Sequence, residues 1–294
     1  MSSYARRVRS ARLVVETLES RCTPAGHVAA VLSGSTLVIT GDAKDNAIQV
    51  EDSTGGVLVS GLSGTLINGL ASVTFSGVSS LRIQMNQGND VVYLGVDPGS
   101  LNLSGSLSVD LGAGDDQLTF INTYVGGSTS IKAGTGDDVV AVNGGNTFNG
   151  SVLVDLAQGG DNFATADTGP GPNAFNKALR ILGGAGNDVI FIQDSTQVGG
   201  TLEFQGQAGD DGIIVANSTA KKLVIDTAAG NDYVQLASAT VLTSATVLLG
   251  TGDDWLDVSF STFGSTYFDG GPGTDMLSNL GNSLGSPSTI INFP

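Results

Sequence analysis

Nine aspartates recur through the chain. Asp90, Asp116, Asp138, Asp161, Asp188, Asp211, Asp232, Asp254 and Asp275 each stand two positions after a glycine. Successive members lie 26, 22, 23, 27, 23, 21, 22 and 21 residues apart. The residue just before is a second carboxylate at Asp115, Asp137, Asp210 and Asp253, and an amide at Asn89, Asn187 and Asn231. Short carboxylates beside glycine-rich main chain form a set of hard oxygen donors. Ca²⁺ is the ion such donors suit, since it takes about six to eight oxygens from carboxylates, carbonyls and water. If the chain returns to one point each period, equivalent carboxylates stack ~4.8 Å apart. Unit charges at that distance repel by roughly 1 kcal/mol in water and by several when partly buried. A column this acidic calls for a counter-ion. The alternative is that Asp and Asn stand there because they suit tight turns, with the column solvated.

The residues around each aspartate show what positions it. Two places after it come Val92, Leu118, Val140, Phe163, Ile190, Ile213, Val234, Leu256 and Leu277. Seven places before it come Ile83, Val109, Ile131, Val154, Ile181, Phe204, Ile225, Val247 and Phe268. Spacing by two is strand alternation, and the helical spacing of three and four is missing. Each period reads as a strand, a tight turn at Gly and Asp, a second strand and a looser return. One such unit cannot bury its apolar stripe alone, but stacked copies can. The reading is all-β: a parallel β-helix or β-solenoid with coils of about 21–27 residues, three-sided, in ten or eleven coils. Tandem β-sandwich domains compete poorly, because they do not give so short and even a repeat.

The chain divides accordingly. Residues 1–26 form a basic leader, 27–80 degenerate coils and a cap, 81–278 the regular solenoid, and 279–294 a closing strand near Thr289 to Phe293. Asn46 takes the repeated position in a first coil, and the 44 residues from it to Asp90 predict one further coil near 60–80 that has lost its turn. Two stretches, Gly95 to Ser100 and Thr168 to Asn173, lengthen the return side and read as loops protruding from one edge.

Five turns have the form Gly-x-Gly-x-Asp-x-aliphatic: Gly112 to Leu118, Gly134 to Val140, Gly184 to Ile190, Gly250 to Leu256 and Gly271 to Leu277. These resemble the nonapeptide of the repeats-in-toxin (haemolysin-type) family, whose parallel β-roll holds Ca²⁺ between stacked turns. The resemblance implies ligands at Asp115, Asp116, Asp137, Asp138, Asn187, Asp188, Asp253, Asp254 and Asp275. The turns at Asp90, Asp161, Asp211 (with Asp210) and Asp232 lack the first glycine and match less fully. That family has loops on both edges of a flat roll, whereas this chain has one loop per coil.

The net charge is −16, and beyond the leader seven basic residues face 26 acidic ones. This balance excludes nucleic acid as a natural partner and favours cations or basic surfaces. Cys22 is the single cysteine, so no internal disulfide forms. His27 is the single histidine and sits beside the leader, a placement that argues against a Ser-His-Asp triad and a histidine-based zinc site. No apolar run reaches the ~18–20 residues of a membrane span. The first 25 residues carry five arginines, and the apolar run Leu13-Val14-Val15 is too short for an ordinary secretory signal. Through Arg12-Leu13, Glu16, Leu18-Glu19, Arg21 and Pro24-Ala25 the segment resembles a leader of secreted or surface proteins of planctomycete bacteria, which implies export to the cell surface or beyond.

Further carboxylates, Asp110, Asp155, Asp226 and Asp269, lie six before the repeated aspartate and point outward. Paired carboxylates on a β-helix can hydrolyse or bind sugars, and lyases on such a frame add Ca²⁺ and a basic residue. Arg82 and Arg180 occupy outward positions but stand about four coils apart. Tyr233, Trp255 and Met276 follow the repeated aspartate in three successive coils, and stacked they form an exposed stripe suited to an extracellular glycan or a surface protein. The expectation is a secreted or cell-surface Ca²⁺-binding solenoid with a structural or adhesive role; the alternative is a glycan-binding or lyase-like β-helix.

Overall fold

The computed structural model describes residues 26–96, 99–166 and 171–294. The leader therefore lies outside the described residues but for Gly26, as do parts of both protruding loops. Among the described residues every regular element is a strand. Among these residues no helix is long and apolar enough to cross a membrane.

The chain winds as a parallel β-solenoid. A typical coil runs through three strands: Leu107–Ala113, Gln117–Ile121 and the short Thr123–Val125. The next coil repeats them as Thr129–Thr135, Val139–Asn143 and Thr147–Phe148, each pairing in parallel with its predecessor. The apolar residues seven before each aspartate stack in register, Ile83 on Val109 on Ile131 on Val154, and so on to Phe268. Those two after it do the same on the second face, from Val92 to Leu277. Alternation along each strand sends one side chain inward and the next outward, so the core is a continuous column. Its aromatic spine includes Phe120, Phe148 and Phe175, the last two with ring centroids 5.0 Å apart and planes 9° from parallel. In three successive coils, at Gln197–Ala208, Thr219–Ala229 and Thr240–Leu248, the short and long strands fuse through a bulge into one element, and they separate again as Thr262–Phe263 and Thr266–Asp269.

The N-terminal end departs from the expectation. No separate coil occupies residues 60–80. Gly56–Gly61 folds back antiparallel on Ala47–Ser53, and Ser72–Phe75 pairs antiparallel with Gly56–Gly61. Thr36–Thr40 lies directly on Ser80–Gln84, and Ala47–Ser53 on Val91–Leu94, both in parallel. The coil of Asn46 therefore sits immediately against that of Asp90, and the intervening residues leave the winding as a hairpin excursion. Of the 12 strands in the second sheet, ten stack in parallel, which gives nine steps between coils. At the far end Ser288–Ile291 pairs in parallel onto Thr266–Asp269 and continues the stack.

Candidate functional site

All nine repeated aspartates fall on one corner of the rod, and each is at most 2% exposed. Their stacking is direct. The Asp90 N–H donates to Asp116 Oδ1 at 2.6 Å, the Asp116 N–H to Asp138 Oδ1 at 2.8 Å, and the Asp138 N–H to Asp161 Oδ1 at 2.7 Å. The rungs continue through Asp188, Asp211, Asp232 and Asp254 to Asp275. At the start Asn46 donates its N–H to Asp90 Oδ1 at 2.6 Å. One carboxylate oxygen per coil thus holds the main chain of the coil before it.

The other oxygen faces inward. Oδ2 of every one of the nine is buried without a hydrogen-bond partner. Burial penalises the charged form and pushes Asp90, Asp138 and Asp211 up to about 7, although the rung N–H pulls the other way and neighbouring aspartates add to the rise. Asp116, Asp161, Asp188 and Asp254 are pushed up to about 6 for the same leading reason, and Asp232 is raised as well.

The residue before each repeated aspartate stands on the other side of the turn. Asn89, Asp115, Asp137, Asn187, Asp210, Asn231 and Asp253 are exposed and make a second ladder of opposite polarity. Here the side chain accepts from the following coil: Asp137 N–H donates to Asp115 Oδ1 at 3.0 Å, and Asp253 N–H to Asn231 Oδ1 at 2.9 Å. Gly160 interrupts it, having no side chain to offer Asn187. Inner and outer carboxylates are therefore separated by the main chain. Among the described residues, no three ligating side chains converge on one point.

What Oδ2 meets depends on the residue five places earlier, a position whose role the spacing did not reveal. Added at Gly183, a Cβ would lie 2.5 Å from Asp188 Oδ2 and 2.9 Å from the Gly206 carbonyl. Gly206 is bracketed in the same way by Asp211 Oδ2 and the Thr227 carbonyl, and Gly270 by Asp275 Oδ2 and the Asn292 carbonyl. These three cradles present acceptors only. In other coils the position carries Met85, Leu111, Ala133, Leu156, Thr227 or Leu249, all fully buried, and the Thr227 hydroxyl, which donates to the Leu249 carbonyl, also lies close enough to the Asp232 carboxyl to pull it down.

A second polar column was not foreseen. At another corner the buried Asn146 accepts the Thr123 N–H at 2.9 Å and donates to the Gly144 carbonyl at 3.2 Å and to Asn173 Oδ1 at 2.9 Å. Asn173 donates to the Val142 carbonyl at 2.9 Å, and Ser261 accepts from Ala239 N–H at 3.0 Å. This column is neutral and its amides are satisfied, so the same hooking rung is made without charge. Its residue types change from coil to coil, Thr to Asn to Ser, which hid the period; only their common small polar character marked it.

Tyr233, Trp255 and Met276 are directly paired in register on the second face. The Tyr233 and Trp255 rings meet edge to face at 5.5 Å, and Trp255 is 46% and Met276 58% exposed. Arg180 is held by Glu203 at 3.3 Å, four coils from Arg82. No family model, curated protein or solved structure matches the chain.

Proposed function

We propose that this is a secreted or cell-surface structural solenoid whose acidic corner binds Ca²⁺ and is stiffened by it, in the manner the repeats-in-toxin resemblance implies. One observation carries the reading: nine buried carboxylate oxygens in a column, each without a donor. A buried anionic oxygen is costly unless a cation or a proton completes it.

The donor chemistry fits Ca²⁺ best at the three glycine cradles. There Asp188 Oδ2 with the Gly206 carbonyl, Asp211 Oδ2 with the Thr227 carbonyl, and Asp275 Oδ2 with the Asn292 carbonyl bring two hard oxygens together at the position a side chain would take. Beside Met85, Leu111, Leu156 and Leu249 an apolar side chain takes that space, and a proton neutralises the acid instead. Bound Ca²⁺ would supply neutralisation of fixed negative charge; the chain supplies the column, the carbonyls and the exclusion of water. Export rests on the leader resemblance, and the adhesive role on the exposed Tyr233, Trp255 and Met276 stripe.

Calorimetric titration with CaCl₂ tests this directly. The expected result is about three ions per chain, with a melting temperature raised by Ca²⁺ and restored by chelator. Absence of binding heat together with an unchanged melt would overturn the reading.

A further inference from the structure

Basic residues are scarce beyond the leader, yet they are not scattered. Four of the seven, Lys177, Arg180, Lys221 and Lys222, lie within two coils of one another. Arg180 is paired with Glu203. Among the described residues the three lysines, all exposed, have no carboxylate at ion-pair distance. They stand at the corner where the short strand passes into the long one, away from the acidic ladder. Lys177, Gly200, Lys221 and Thr243 occupy successive coils there: the Gly200 N–H donates to the Lys177 carbonyl at 3.2 Å, and the Thr243 hydroxyl donates to the Lys221 carbonyl at 2.7 Å.

Gly199 and Gly200 leave the coil between the lysines without side chains. A cleft of about 500 Å³ opens at this point. Its walls take an amide or hydroxyl from each of four successive coils, Asn176, Gln197, Thr219 and Thr243, of which Gln197 and Thr219 are register partners, with Lys221 among them. Leu242, 64% exposed, supplies an apolar surface at one side.

We propose that this cleft binds a segment of anionic polysaccharide, carboxylated or sulfated. Unpaired ammonium groups on a molecule of net charge −16 are complementary to a polyanion that the rest of the surface repels. Side-chain amides and hydroxyls contributed by four successive coils suit a polymer that presents hydroxyls on every unit. The aliphatic Leu242 offers a face for the C–H side of a sugar ring. A peptide acid would use the lysines but leave the row of hydroxyls and amides unanswered. The inference is independent of Ca²⁺ binding at the other corner.

The test is calorimetric titration of the full chain with oligogalacturonate, with a sulfated oligosaccharide and with neutral dextran, all in chelator so that ion bridging is absent. One or both polyanions bind, dextran does not, and added salt weakens the interaction. The triple variant K177A/K221A/K222A loses about tenfold or more in affinity at an unchanged melting temperature, whereas K132A, at a different position on the rod, binds normally. The proposal is overturned if neither polyanion binds, or if the triple variant binds as well as the parent. Self-association of the parent that the same substitutions abolish would also overturn it, by giving the cleft to the acidic surface of a second copy.

Discussion

The Asp138 carboxylate accepts the Asp116 N–H through Oδ1 and keeps Oδ2 buried without a partner. These two oxygens carry separable effects. Asp138→Leu removes the acceptor and leaves the Asp116 N–H buried and unmatched, at a cost of about 1–3 kcal/mol. Asp138→Asn keeps an acceptor and removes the charge, so its cost in chelator at neutral pH is smaller than that of the Leu variant. Urea melts of both variants check the order. Equal losses would show that charge, not the rung, is what the coil needs. The same substitution also distinguishes the glycine cradles from coils that carry a large apolar residue five places before the aspartate. Asp188→Asn should lower the Ca²⁺ stoichiometry, while Asp116→Asn, whose neighbour five places back is Leu111, should leave it unchanged.

At the scale of the turn, glycine is demanded at one position and merely preferred at another. Gly136 has φ +124°, and a Cβ there would stand well inside van der Waals contact with the Gly114 carbonyl of the preceding coil. The position four before the aspartate is also left-handed, but Asn86, Ala157, Gln207 and Ala228 adopt it at φ values of 75°, 76°, 82° and 70°. Gly136→Ala is therefore expected to cost more than about 2 kcal/mol, and Ala228→Gly to gain about 0.5–1 kcal/mol by releasing left-handed strain; thermal melts of the two variants give the signs. This explains why the shorter Gly-x-Asp phrase is invariant in the sequence and the longer one is not: a carbonyl of the preceding coil crowds a Cβ at glycines of both sites, but the first site holds φ between 113° and 152° in eight coils, whereas the second relaxes to 70–82° where a side chain stands. Strand alternation and the nine-fold aspartate spacing were equally legible, because both follow from repeated burial. The direction of the aspartate side chains was not, since a turn residue can face solvent or core with the same spacing. Nor was the Asn146 and Asn173 column, whose chemistry is met by several small polar residues. The hairpin of Gly56–Gly61 escaped because its alternation is that of any strand; only its antiparallel partner distinguishes it from a coil.

Across the whole molecule the acidic corner links winding to pH. Seven inner aspartates have carboxyls pushed up to about 6 or 7 from an ordinary value of 3.8, led by burial. In the unfolded chain they return to that ordinary value, so the folded state holds protons that the unfolded state releases. The stabilisation is then full below about pH 4 and is lost as pH rises through 6 to 7. The surplus of negative charge, −16 at neutral pH, acts in the same direction, because ionisation adds self-repulsion along the rod. In chelator, the melting temperature should fall by more than about 5 °C between about pH 4 and about pH 8. Ca²⁺ competes with protons for the same oxygens, so it gains affinity as the carboxyls ionise. Melting curves with and without Ca²⁺ should coincide at the acid end and part above about pH 6. A chelator curve that is flat or rises with pH would show that the inner carboxyls are ionised throughout and that the column is neutralised by something other than protons.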